Sequence, residues 1–216
     1  MKLFIDGADP NEIRVCVRQG LIDGVVTDRS LKAEVGRGAA GDPEALLREI
    51  CGLVKGPVTV GVAGEDRDRM LREGRELARL APNVVVSLPF STEGLQAVRA
   101  CANEGIKTNV TLCLNPEQAL LAAKAGAAYL SPSVERGDGV TLDAGDLVRK
   151  IVAIYRTYGH ETQVLFGVRT PSHIVDAALA GAHVAVVPYK ALQQLGKPPL
   201  PEATPDPLTA SGNKIA

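Results

Sequence analysis

Short apolar runs alternate with longer amphipathic stretches along most of the chain. The runs are "LFID", "GVVT", "VTVGVA", "VVVSLP", "NVTLCL", "AYLSPSV", "VLFGV" and "HVAVVP". Each reads as a buried strand, and seven longer helical patterns and one shorter one follow them. Helix starts are signalled where a capping side chain precedes a proline-compatible first turn, at Asp42-Pro43, at Asn115-Pro116 with Gln118, and at Thr170-Pro171. Helix stops are signalled by glycine in "RQG", "NEG", "KAG", "TYG" and "LAG", each just before the next strand. Eight β/α pairs in one compact chain predict an α/β protein, a (β/α)₈ barrel of the TIM type, over residues 1–196. A doubly wound open sheet is the alternative that alternation leaves standing, although no GxGxxG follows the first strand. The pattern collapses in residues 197–216, where five prolines predict an extended tail.

Composition narrows the class without changing the fold. A chain of 216 residues, 45% apolar with a net charge of −1, suits one sizeable globular domain. Acidic and basic residues are interspersed, as in "EDRDRMLREGRELARL", which predicts a solvated outer helix face and gives no support to a nucleic-acid or anionic-membrane partner. The apolar runs fall short of the ~20 residues of a membrane span, and Asp6 interrupts the first run before a signal-peptide core forms, so a cytoplasmic location is expected. Cys16, Cys51, Cys101 and Cys113 show no CxxC spacing, which predicts buried free thiols rather than disulfides or zinc. Three scattered histidines offer no ligand spacing, so neither a metal nor a cofactor is expected.

A barrel of this class binds its ligand at the carboxyl ends of its strands. The polar residues there are Asp6, Thr27, Asp28, Arg29, Ser87, Thr111, Ser131, Ser133, Arg136 and Arg169. A polar strand end also serves simply to cap a loop, but many converging on one mouth point to a site.

Several longer stretches, "LFIDGADPNEI", "LIDGVVTDRSL", "NVVVSLPFSTEGLQAV", "EGIKTNVTL", "QALLAAKAGAAYLSP" and "HIVDAALAGAHVAVVPYKALQQL", resemble the small transaldolases and fructose-6-phosphate aldolases in order from residue 2 to about 196. The resemblance implies a class I aldolase barrel acting on phosphorylated sugars through a lysine Schiff base. The position of that lysine is Ser87 here, and a hydroxyl cannot condense with a ketone as an amine does. Asp6, matching the family's proton-transfer carboxylate, and Thr111 are retained. The family's asparagine matches Asp28, its neighbouring proline Arg29, its hydroxyl-bearing residue Val26, and its water-placing Glu or Gln Gly61. An aromatic residue matches Ser133 and a phosphate-binding serine Gly167, whereas Arg136 matches a phosphate-binding arginine and Arg169 a basic residue. Lys32, Lys55, Lys107, Lys124 and Lys190 stand where solvent-facing roles are expected, Lys32 least firmly because the second loop can fold over the mouth.

Two functions follow. In the first the barrel is a repurposed enzyme, with Asp6 and Asp28 as a carboxylate pair tuned by Arg29. Such a pair serves isomerisation, dehydration or cyclisation of a small carbonyl or anionic sugar-like compound. In the second it is an inactive relative that binds a sugar phosphate or other small anion through Arg136 and Arg169. The resemblance also implies a homo-oligomer; relatives commonly form decamers through a carboxyl-terminal helix, and the prolines of this tail predict a different or smaller assembly.

Overall fold

The computed structural model describes residues 1–27, 42–133 and 143–196. Eight parallel strands close into a barrel in sequence order: β1 (Lys2–Asp6), β2 (Gly24–Val26), β3 (Val58–Gly61), β4 (Val84–Pro89), β5 (Thr108–Cys113), β6 (Tyr129–Pro132), β7 (Gln163–Gly167) and β8 (Val184–Pro188). Closure comes from β1 pairing with β8, in register from Lys2 opposite Val184 to Asp6 opposite Pro188. An open doubly wound sheet has no such pairing, so the (β/α)₈ barrel stands. The described helices are α1 (Pro10–Arg18), α2 (Pro43–Leu53), α3 (Arg67–Ala78), α4 (Thr92–Asn103), α5 (Pro116–Ala125), α6 (Ala144–Tyr158), α7 (Ser172–Leu179) and α8 (Tyr189–Leu195). Among the described residues no helix is long and apolar enough to cross a membrane.

Local chemistry explains most of the boundaries. Asp42 accepts from the Glu44 amide at 3.0 Å and Asn115 from the Gln118 amide at 2.8 Å, while Gln118 Oε1 in turn accepts from the Leu114 amide. The first two bonds satisfy amides that the first helical turn leaves without a partner, and the third reaches back to the residue before the cap. Thr170 corrects the expectation made for it: its hydroxyl pairs with Ser172 Oγ at 2.9 Å, and α7 has no side-chain cap. The five glycines of the stop signals, Gly20, Gly105, Gly126, Gly159 and Gly181, all have positive φ. Gly126 also allows a close approach, because a β-carbon there would sit 2.8 Å from that of Ala102.

Two side chains tie the outer ring to the barrel, one at each end of the strands. Asn83, just before β4, donates from Nδ2 to the carbonyls of Cys51, Val54 and Gly56 at 3.2, 3.0 and 3.0 Å, sealing the end of α2. Glu73 on α3 accepts from the amides of Ala63 and Gly64 at 2.8 and 3.0 Å and from Arg69 Nε at 3.0 Å, which holds the loop after β3. Burial works to raise the Glu73 pKa, but those two amides and Arg69 outweigh it and hold the carboxyl below its usual range. Elsewhere α3 is the solvated face expected of it, with Arg67 paired to Asp68 and Arg75 to Glu104 at the surface.

Candidate functional site

The barrel interior is plugged by a small apolar cluster of Phe4, Val85, Tyr129, Leu165 and Val184, separate from the larger core between strands and helices. The Phe4 and Tyr129 rings meet at 6.2 Å in a tilted arrangement. Side chains on a strand repeat with period two, so the residue two positions after each plug residue faces the same interior one layer higher. Those residues are Asp6, Ser87, Ser131, Gly167 and Val186, and all five line one cavity of about 440 Å³ at the carboxyl ends of the strands. Thr111, Ser133, Gly61, Val26 and Leu112 also line it. The expected mouth is therefore a real pocket over an apolar floor, and none of the described residues lining it is a lysine.

Ser87 is 3% exposed and belongs to a hydrogen-bonded chain across three strands. Ser131 Oγ on β6 donates to Asn109 Oδ1 on β5 at 3.0 Å, and Asn109 Nδ2 donates to Ser87 Oγ on β4, also at 3.0 Å. The amide at the centre uses one end toward each hydroxyl, which ties the three strands together at this level. Ser87 Oγ is thereby held in place by Asn109. Strand register places Gly61 beside Ser87 on the other flank, so no side chain of β3 approaches it at that level.

Asn109 is the residue the sequence reading passed over. It is fully buried and lies two positions before Thr111 on the inward face of β5. A signal existed: an amide inside the run "TNVTLC" shares the period-two face of a residue already chosen. Thr111 itself is half-buried on the cavity wall and donates from Oγ1 to the Leu88 carbonyl at 3.3 Å. Thr27 has a structural use, its hydroxyl donating to the Thr59 carbonyl at 2.6 Å.

Asp6 is exposed at the end of β1 and lines both the main cavity and an adjoining cleft of about 270 Å³. That cleft also holds Ser133, Gly167 and the exposed Arg169, so the carboxylate and this arginine share one continuous recess. The Arg169 amide points to His173 Nδ1 at 3.4 Å, which sets the loop after β7 against the first turn of α7. Asp28, Arg29, Lys32 and Arg136, together with residues 197–216, lie outside the described residues. Lys55, Lys107, Lys124 and Lys190 are exposed and away from the cavity.

The cysteines, His160 and His183 supply no reactive group to the cavity. All four cysteines are free and buried, and burial pushes the Cys113 thiol up to about 11, which keeps it protonated near neutral pH. His183 stands at the amino end of β8, where its Nδ1 accepts from the Val164 amide at 3.0 Å; burial, then Lys2 and the amino terminus, lower its pKa. His160 packs edge-on against Tyr155 beyond the end of α6.

Comparison with known proteins agrees with this geometry. Residues 3–215 match the family model described as Transaldolase/Fructose-6-phosphate aldolase. A "Probable transaldolase" of Anaeromyxobacter dehalogenans is 48% identical over the whole chain and 98% of its own length. Another of the same description from Sorangium cellulosum is 47% identical with the same coverage. Among solved structures, thiamine phosphate pyrophosphorylase from Pyrococcus furiosus superposes with a TM-score of 0.59 over 90% of this chain and 93% of its own; at 16% identity it shares the fold alone.

Proposed function

The chain belongs to the transaldolase/fructose-6-phosphate aldolase family, and we propose that it works there without a covalent Schiff-base step. In this reading it binds a small phosphorylated or otherwise anionic sugar-like carbonyl compound and acts on it by acid/base chemistry of the isomerisation, dehydration or cyclisation type. The observation that carries the proposal is Ser87: a hydroxyl held by Asn109 occupies the position where the resemblance expects the amine, and no described lysine lines the cavity. A primary amine becomes an imine with a ketone, whereas a hydroxyl forms no such electron sink. The carboxylate of Asp6 takes the proton from the carbon beside the carbonyl and a proton returns at a neighbouring atom, with Asp28 as the second carboxylate and Arg29 tuning the pair. Ser87, Thr111 and Ser133 hold ligand oxygens, and Arg169 with Arg136 takes the anionic end. Asp28, Arg29 and Arg136 enter on the resemblance alone.

A second reading, binding without turnover, is favoured by the same hydrogen bond, which makes Ser87 part of the scaffold rather than a reactive group. Two measurements separate the possibilities. Incubation with D-fructose 6-phosphate and borohydride should leave the intact mass unchanged; a substrate-derived adduct on any lysine would overturn the proposal. In D₂O, acid/base chemistry should exchange the proton next to the carbonyl, and Asp6→Asn should abolish that exchange. Tight binding with no exchange selects the second reading.

A further inference from the structure

We infer that Leu112 is a ligand-contacting, specificity-determining residue that covers the carbon face of a polyhydroxylated ligand at the cavity mouth. The inference rests on the ligand reading above and goes beyond it by naming the apolar contact. Strand β5 is out of step with β6 near its end: Val110 lies opposite Leu130 but Cys113 lies opposite Pro132, so β5 carries one residue more than its partner there. Such a bulge re-aims a side chain and is common beside active sites. The flanking residues are tied in different directions. Thr111 accepts at its carbonyl from the Phe90 amide at 2.8 Å and its hydroxyl reaches the Leu88 carbonyl, both at the β4 side. The Cys113 carbonyl accepts from the Ser133 amide at 2.7 Å, at the β6 side. Leu112 absorbs the mismatch with φ of +59°, and among the described residues it is the one non-glycine with positive φ.

That conformation brings Cβ of an L-residue against its own backbone, a strain that glycine escapes. Core packing does not account for leucine at this place. The side chain is 51% exposed, belongs to neither apolar cluster, and stands on the wall of the hydroxyl-lined cavity. Strained residues of this kind persist at ligand clamps because the surrounding bonds over-determine them. The wall opposite in chemistry is formed by Ser87, Ser131 and Ser133. A sugar-like chain has the complementary character, hydroxyls on one edge and C–H groups on the other. Oxygen atoms turned toward the serines leave carbon toward Leu112, and binding then removes half-exposed apolar surface from water.

The test uses D-glucitol 6-phosphate, a polyol phosphate without a carbonyl, so that calorimetry reads binding with no covalent or catalytic step. Leu112→Gly and Leu112→Ala should each weaken binding about five- to tenfold, the loss expected from roughly half a leucine's burial. The two variants should differ in stability, with Leu112→Gly melting about 2–4 °C above Leu112→Ala because only glycine relieves the strain. If the wild type binds and either variant binds equally well, Leu112 makes no ligand contact and this inference falls while the ligand reading stands. If the wild type does not bind the polyol phosphate, this inference falls, and the ligand reading is decided separately by the D₂O exchange. A Leu112→Ala protein as stable as Leu112→Gly would remove the strain argument.

Discussion

Replacing Ser87 by lysine puts an amine back on β4, and the structure sets its consequences. Serine at this position is 3% exposed and accepts from Asn109 Nδ2 at 3.0 Å, so the new side chain deprives a buried amide of its acceptor. Leaving one such group unpaired costs about 1–3 kcal/mol. For a domain of this size that is a fall in Tm of roughly 2–4 °C per kcal/mol, which a folded barrel survives. The cavity of about 440 Å³ above the apolar plug has space for a lysine stem and a small ketone. Desolvation disfavours the ammonium form; with the mouth open, a drop of roughly two to three pKa units is reasonable against the 3–5 of a fully enclosed lysine. The Asp6 carboxylate on the same cavity opposes that drop. Imine formation with dihydroxyacetone should therefore rise with pH through about 8, the range where the amine loses its proton. Turnover should lag far behind, because Gly61 beside position 87 offers no side chain to place water, and lost proton-transfer help costs ~10²–10⁴-fold. The assay is borohydride trapping read by intact mass across pH, with circular dichroism to show folding. A folded Ser87→Lys protein that traps nothing at pH 9 would refute the reasoning, since a carbonyl would then not reach this layer of the barrel. An asparagine in place of Asp28 should increase trapping further if that carboxylate faces the site; equal trapping would leave Asp28 out of it.

Other substitutions test the scaffold. Thr108 carries a fully buried hydroxyl without a partner among the described residues, so Thr108→Val should raise stability by about 1 kcal/mol in urea unfolding. Asn83→Ala removes a donor shared by three carbonyls, and a loss of about 1–3 kcal/mol is expected in the same assay, without change in m-value. Glu73 has a lowered folded pKa, so its contribution is complete above the ordinary carboxylate range and disappears as pH falls through the folded value. Glu73→Gln should accordingly be less stable than wild type at pH 7, by a margin that shrinks as the pH is lowered below the ordinary carboxylate range, as thermal unfolding across a pH series will show.

The parts of this protein that were legible in its sequence are those written in short-range chemistry. Hydrophobic period, the caps at Asp42 and Asn115, and the glycine stops from Gly20 to Gly181 act over a few residues, and each appears in the structure where the sequence predicts it. Asp6, Ser87, Thr111, Ser131 and Ser133 line the cavity and Arg169 the adjoining cleft, because a strand's end is a position in the sequence as well as in space. Thr170 was misjudged even locally, since two neighbouring hydroxyls, its own and that of Ser172, satisfy one another. What the sequence left silent depends on lateral register. Ser87, Asn109 and Ser131 are 22 residues apart at each step, and only closure of adjacent tilted strands brings their polar atoms to 3.0 Å. The same holds for Leu112, whose left-handed backbone arises from one extra residue on β5 measured against β6. Sequence chose a hydroxyl for position 87; the barrel decided what it bonds to, because hydrogen-bond direction is a property of neighbours across the sheet rather than along the chain.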